Sequence, residues 1–213
     1  MLATSSQRQR GTSLVELMAV VGIVLTLSGM AIMSTVNPSI TSRANNATDA
    51  VVDALRQARQ LAVTKRRNVV VAFNGSNTIQ LTVQPLPNEA VPTPLPLVQL
   101  NDSAANALQF YVFPTLPNTP MGPLGFGNSS AISLVAVNGG SAGSAVMFTT
   151  SGSLVGAGGA APANYYAVGN NDPINATIFI GTPGNTATAR AITVVGATGR
   201  VRSFAWDGTQ WRE

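Results

Sequence analysis

The sequence predicts an α+β fold, in which a long N-terminal α-helix with an apolar first half packs against an antiparallel β-sheet domain. Three observations predict it. Leu17–Val36 is a run of twenty uncharged residues. From about Ser42 a second helical pattern sets Ala47, Val51, Ala54/Leu55, Ala58 and Leu61/Ala62 on one stripe. Beyond Arg67 the period shortens to two, beginning with Val69-Val70-Val71-Ala72-Phe73, and short β-branched runs alternate with Gly, Pro and Asn turns.

The first run, at about 1.5 Å per helical residue, reaches roughly 30 Å, the hydrocarbon thickness of a bilayer. Arg8 and Arg10 stand directly before it, so the positive-inside rule keeps the short leader cytoplasmic and exports the rest. The run is longer than a secretory signal's apolar region, and no small-residue cleavage site closes it. Glu16 is the odd residue: a carboxylate at the head of a membrane helix is costly to bury and calls for a partner. Near Asn37-Pro38 a kink or break is expected, because Pro38 has no N–H and disfavours helix at Asn37. In the amphipathic half, Asp49 and Asp53 come early and Arg56, Arg59 and Lys65 late, the order that the helix dipole favours.

The 213 residues suffice for one domain plus an anchor. Charged residues are only 9% of the chain, which suits a loop-rich extracytoplasmic β domain. Cys and His are both absent. Disulfides, thiol nucleophiles and the commonest general base and metal ligand are therefore excluded, and no enzymatic activity, metal or cofactor is expected. Every Lys and Arg lies within residues 8–67 or 190–212, while 68–189 carry only Glu89, Asp102 and Asp172 as charged groups. Basic character belongs to the helical start and the C-terminal tail.

The β domain reads in order as follows. Residues 69–73 and 78–83 form a hairpin around Asn74-Gly75-Ser76-Asn77. Residues 84–98 hold five prolines and form a loop or an extended edge segment. Residues 108–113 are a strand and 114–130 a loop. Strands 132–137 and 145–149 flank an Asn138-Gly139-Gly140 turn, and Ser151–Asn164 is a flexible Gly-rich loop. Strands 165–168, 177–180 and 191–195 follow. A last hairpin, Arg200–Trp206 with Thr209–Trp211, turns at Asp207-Gly208.

The segment Gly11-Thr12-Ser13-Leu14-Val15-Glu16-Leu17 resembles the class III signal of type IV pilins and pseudopilins. The resemblance implies cleavage by a prepilin peptidase after Gly11, N-methylation of Thr12 as the new N-terminus, and pairing of Glu16 with the N-terminal amine of a neighbouring subunit. Thr12 stands where that family usually has Phe. The amphipathic segment Ala54–Val63, the stretch Val146-Met147-Phe148-Thr149-Thr150-Ser151-Gly152 and Thr198-Gly199-Arg200-Val201-Arg202 resemble the GspH/FimT branch. On that likeness the chain divides into a leader (1–11), a transmembrane and filament-core helix (12–37), the amphipathic half of the helix (38–67) and a β-rich pilin-like domain (68–213). The function implied is that of a minor pilin or pseudopilin in a type IV pilus or type II secretion pseudopilus. Its partners would be other pilins or pseudopilins, with a single-pass place in a bacterial inner membrane and a periplasmic C-terminal domain.

A second function is implied by Gly199-Arg200-Val201-Arg202, since a Gly-Arg-x-Arg motif binds DNA during natural transformation in the FimT group. In an extended strand Arg200 and Arg202 share a face roughly 7 Å apart, close to the spacing of phosphates along one DNA strand. Lys65, Arg66, Arg67 and Arg190 are the candidate helpers. The same two arginines also suit a structural role or contact with a partner subunit, and Phe204 and Trp206 on the same face suit either a core or base stacking.

Overall fold

The computed structural model describes residues 14–85, 92–100, 108–117, 119, 130–137, 145–157 and 172–213, and the side chains of residues 16 and 26–39 are outside that description. Helix α1 spans Leu14–Lys65. Among the described residues twelve strands follow: β1 (Val69–Asn74), β2 (Thr78–Val83), β3 (Thr93–Pro94), β4 (Val98–Gln99), β5 (Gln109–Phe110), β6 (Ile132–Ala136), β7 (Ala145–Phe148), β8 (Leu154–Gly156), β9 (Ile174–Thr182), β10 (Asn185–Val195), β11 (Arg200–Trp206) and β12 (Trp211–Arg212). The fold is α+β, with every strand pairing antiparallel. The chain falls into two units, Met1–Ile40 and Thr41–Glu213.

Within the larger unit α1 buries a stripe that repeats every three or four residues: Ala44, Ala47, Val51, Ala54, Leu55, Ala58 and Ala62. Five of these seven are Ala, and short side chains let the helix axis come close to the strands beneath it. The stripe packs on Val69, Val71, Ile79, Leu81, Val146, Phe148 and Leu154 from one group of strands and Ile178, Ile180, Ile192 and Val194 from another. Those groups are two sheets, one ordered β3-β2-β1-β7-β8 with β4 also on β2, the other β12-β11-β10-β9-β5 with β6 also on β9. The second sheet is apolar on its far face too. There Phe113, Phe179, Ala191, Phe204 and Trp211 make a smaller core, and the Trp211 indole N–H donates to the Pro117 carbonyl at 2.8 Å. Burial on both faces is why β9 reads as a continuous run rather than an alternating one.

Several expectations are corrected. The strands form two sheets instead of one, and β6 and β7 fall in different sheets, so they are not a hairpin; alternation marks a strand but does not name its partner. The stretch 151–164 is not all loop: Leu154–Gly156 is β8, and Leu154 is fully buried. The strand over 108–113 shortens to Gln109–Phe110. The Pro-rich segment keeps to the second of its two expected forms and supplies the edge strands β3 and β4. The strand expected at 165–168 lies outside the described residues. The chain is helical through Asn37-Pro38, so of the kink or break expected there the break does not occur. Among the described residues no helix is long and apolar enough to cross a membrane; the uncharged run Leu17–Val36 extends into the side chains outside the description.

The helix ends in a Schellman turn. Arg66 takes a positive φ of 51°, and the Arg67 N–H donates back to the Ala62 carbonyl at 3.1 Å. Gly is the usual residue at that position, because an L side chain is strained there. Arg66→Gly is therefore expected to raise unfolding stability by about 1 kcal/mol in urea titrations; an unchanged or lowered midpoint would contradict this account of the turn.

Candidate functional site: the corner of helix and two sheets

Three separated segments meet at one corner. The first is the exposed flank of α1, where Arg56, Arg59, Gln60 and Val63 follow the spacing that shares a helix face. The second is the turn between β7 and β8. There Gly152 adopts φ +83°, and the Thr149, Ser151 and Ser153 hydroxyls bond one another at 2.7–3.1 Å. The third is the turn between β10 and β11, closed by the N–H groups of Thr198 and Gly199 donating to the Val195 carbonyl at 3.2 and 2.7 Å.

Arg59 Nε donates to the Gly152 carbonyl at 3.2 Å, joining helix to sheet. Gly199, at φ +62°, lies against the same two groups: a Cβ there would sit on the Gly152 oxygen and 2.7 Å from Arg59 Nε. Gly196 is as tightly placed, with its ideal Cβ 2.5 Å from the Ile174 backbone. Its N–H donates to Asn175 Oδ1 at 2.9 Å, and its carbonyl accepts from the Leu154 N–H at 2.8 Å. The β10–β11 turn thus docks on the seam where the two sheets meet. The three stretches whose residues carry the family likeness, 54–63, 146–152 and 198–202, converge here.

The residues singled out in the sequence fall in three places. Gly11 and Thr12 lie outside the described residues; Glu16 is within α1, with its side chain outside the description. Arg200 and Arg202 share one face of β11, but their surroundings differ. Arg200 is exposed at the start of the strand and lines a cleft of about 740 Å³ with Arg56 and Arg59. Arg202 is only 27% exposed, with one terminal nitrogen 3.4 Å from a Glu213 carboxylate oxygen. Phe204 is buried in the smaller core, and Trp206 packs edge-on to Trp211 at 5.5 Å. The aromatics therefore face protein. Lys65 and Arg66 are exposed at the end of α1, and Arg67 is half-buried.

Arg190 is buried on the helix side of the second sheet. It donates through Nε to Asn45 Oδ1 at 2.9 Å and through a terminal nitrogen to the carbonyls of Ala187 and Ala189 at 3.1 and 2.8 Å. Burial lowers its pKa, and its neutral oxygen partners tie α1 to β10. Sequence reasoning did not find the Asn45–Arg190 and Arg59–Gly152 pairings. The signal available was that Arg59 and Gly152 both stood in the family-like segments.

No family model and no curated protein matches the chain. Among solved structures, one crystal form of the type IV minor pilin FimU of Pseudomonas aeruginosa PAO1 is similar, with 16% identity, a TM-score of 0.42, and 83% of this chain and 94% of that chain covered. A second crystal form gives 16%, 0.37, and 75% and 90%. Superposition at this level decides neither family nor function.

Two outcomes are expected of this corner and the adjoining hairpin. Gly199→Ala should destabilise the protein by about 3 kcal/mol or more, since it combines backbone strain with overlap. Gly208→Ala, also at positive φ but with open space around it, should cost only about 1–2 kcal/mol. Equal losses in urea titrations would remove the packing argument. Asp207 accepts from the N–H groups of Gln210 and Thr209 and the Thr209 hydroxyl, each at 2.8 Å, and pairs with Arg212. These bonds, the Gln210 N–H first, hold its carboxyl below the usual carboxylate range. Its contribution is complete above the ordinary carboxylate pKa near 4 and is lost as pH falls toward the folded value. Asp207→Asn should flatten the acid limb of melting temperature against pH and leave its slope near neutrality unchanged.

Proposed function

We propose that the protein is a structural subunit of a type IV pilus or type II pseudopilus, of the minor pilin or pseudopilin kind. The observation that carries this reading is the change of character along α1. Leu14, Val15, Leu17, Met18, Val20, Val21, Ile23, Val24 and Leu25 are all 48–75% exposed. At 100° per residue they lie on every side of the helix, so their partner must be apolar on every side. Lipid or a bundle of like helices meets that requirement. From Ala44 onward the same helix is amphipathic and serves as core.

The mechanism is mechanical and uses no catalysis. Cleavage after Gly11 by a prepilin peptidase exposes Thr12, which is then methylated. Its ammonium pairs with Glu16 of the adjoining subunit; each charge alone is penalised in low dielectric, so the pair registers subunits along the filament. Before assembly the first half of α1 sits in the inner membrane, with the β domain in the periplasm.

A DNA-binding role through Gly199-Arg200-Val201-Arg202 has narrower support. Arg200 is exposed, but Arg202 is half-buried beside Glu213, and the geometry of Gly199 is explained by the corner it closes.

Glu16→Ala should reduce the filament-bound fraction at least about tenfold when the protein is produced with its assembly machinery, because an unpaired buried charge costs about 3–5 kcal/mol. Wild-type incorporation would refute the pairing. N-terminal sequencing of membrane-extracted protein should begin at Thr12, and an intact Met1 would contradict processing.

A further inference from the structure

The cleft at the corner has a chemistry that assembly through α1 does not use. Arg56 and Arg59 on the helix and Arg200 at the head of β11 line one space of about 740 Å³, within the size range of ligand sites. Arg56 has Asp53 4.0 Å away, with both side chains mostly in solvent. Such a pair is worth little and is readily exchanged. Arg59 uses Nε on Gly152, which fixes its position and leaves its terminal nitrogens for other acceptors. The cleft also has aliphatic surface: Val63, an apolar side chain on the helix, is 46% exposed, and Val201 is half-buried opposite.

Three guanidiniums alone would suit any polyanion. The exposed Val63 beside the half-buried Val201 favours a ligand that alternates carboxylate and apolar side chains, so that carboxylates meet the guanidiniums while apolar surface covers Val63. We propose that this cleft holds an extended acidic segment of another protein chain. Its carboxylates would bond Arg56 and Arg200, with an apolar side chain over Val63 and Val201. The inference rests on this surface alone and does not depend on how α1 assembles.

The test uses the full chain in detergent micelles and fluorescein-labelled octapeptides read by anisotropy. A peptide of alternating Glu and Val should bind saturably below about 1 mM, more tightly than all-Glu and alternating Gln-Val peptides. Arg56→Gln with Arg200→Gln should weaken it at least about tenfold. Val63→Asp should weaken the Glu-Val peptide and not spare it, whereas Arg202→Gln, outside the cleft, should leave it unchanged. No saturable binding, or binding indifferent to Arg56, Arg200 and Val63, would overturn the proposal. A single-stranded oligothymidylate that bound more tightly than the peptide, with the same arginine dependence, would also overturn it by assigning the cleft to phosphodiesters. Micelle-bound protein has no filament, so a failed peptide titration says nothing against assembly, and failed assembly says nothing against the cleft.

Discussion

The bond from Arg59 to the Gly152 carbonyl, with Gly199 pressed against both, is the constraint on which the domain depends. It is one hydrogen bond of 3.2 Å, modest in net energy. Its importance is positional. Helix, first sheet and second sheet each contribute one backbone or side-chain group to a space with no room for a methyl group. Moving any of the three would separate the seam at Leu154–Gly196 and open the core that both sheets share under α1.

The alanine stripe belongs to the same design. Ala44, Ala47, Ala54, Ala58 and Ala62 bury little area each, so the helix contributes closeness more than volume. The bulky partners Phe148, Leu81, Ile178, Ile180 and Ile192 come from the sheets. Asn45 and Arg190 fix the helix near the beginning of its buried stretch, and Arg59 fixes it near the end. Behind the second sheet, Thr177 and Thr193 pair across strands with fully buried hydroxyl oxygens that have no hydrogen-bond partner. We have no physical account of them.

Much of this was legible in the sequence. The period of Ala47–Ala62 gave the buried face, and the Val69–Phe73 and Thr78–Val83 runs with their Asn-Gly turn gave the first hairpin. The Asp207-Gly208 turn likewise marked the last one. Strand partners were not legible, because β6 and β7 are adjacent in sequence and alternate similarly while belonging to different sheets. Leu154–Gly156 was hidden by its small, Gly-rich surroundings, where packing against Val146–Phe148 outweighs a weak local preference. The reason for Gly at position 199 was not legible either, because the group it lies against, the Gly152 carbonyl, is distant in the sequence. Arg200 and Arg202 looked equivalent by alternation, and only the fold distinguishes the exposed one from the one beside Glu213.

The long reach of these links bears on how the domain can come into being. Trp211 bonds Pro117 across 94 positions, Arg59 bonds Gly152 across 93, and Arg190 bonds Asn45 across 145. Contacts so distant along the chain close late and slowly. A chain emerging from its N-terminus first would hold α1 and the β1–β2 hairpin ready while both cores stayed open, because the groups that complete them arrive with β10, β11 and β12. Until then the apolar stripe and the inner faces of the strands have only water or a chaperone to cover them. The domain therefore cannot close until its last strands are present, and the unprotected interval ends when Trp211 reaches its place.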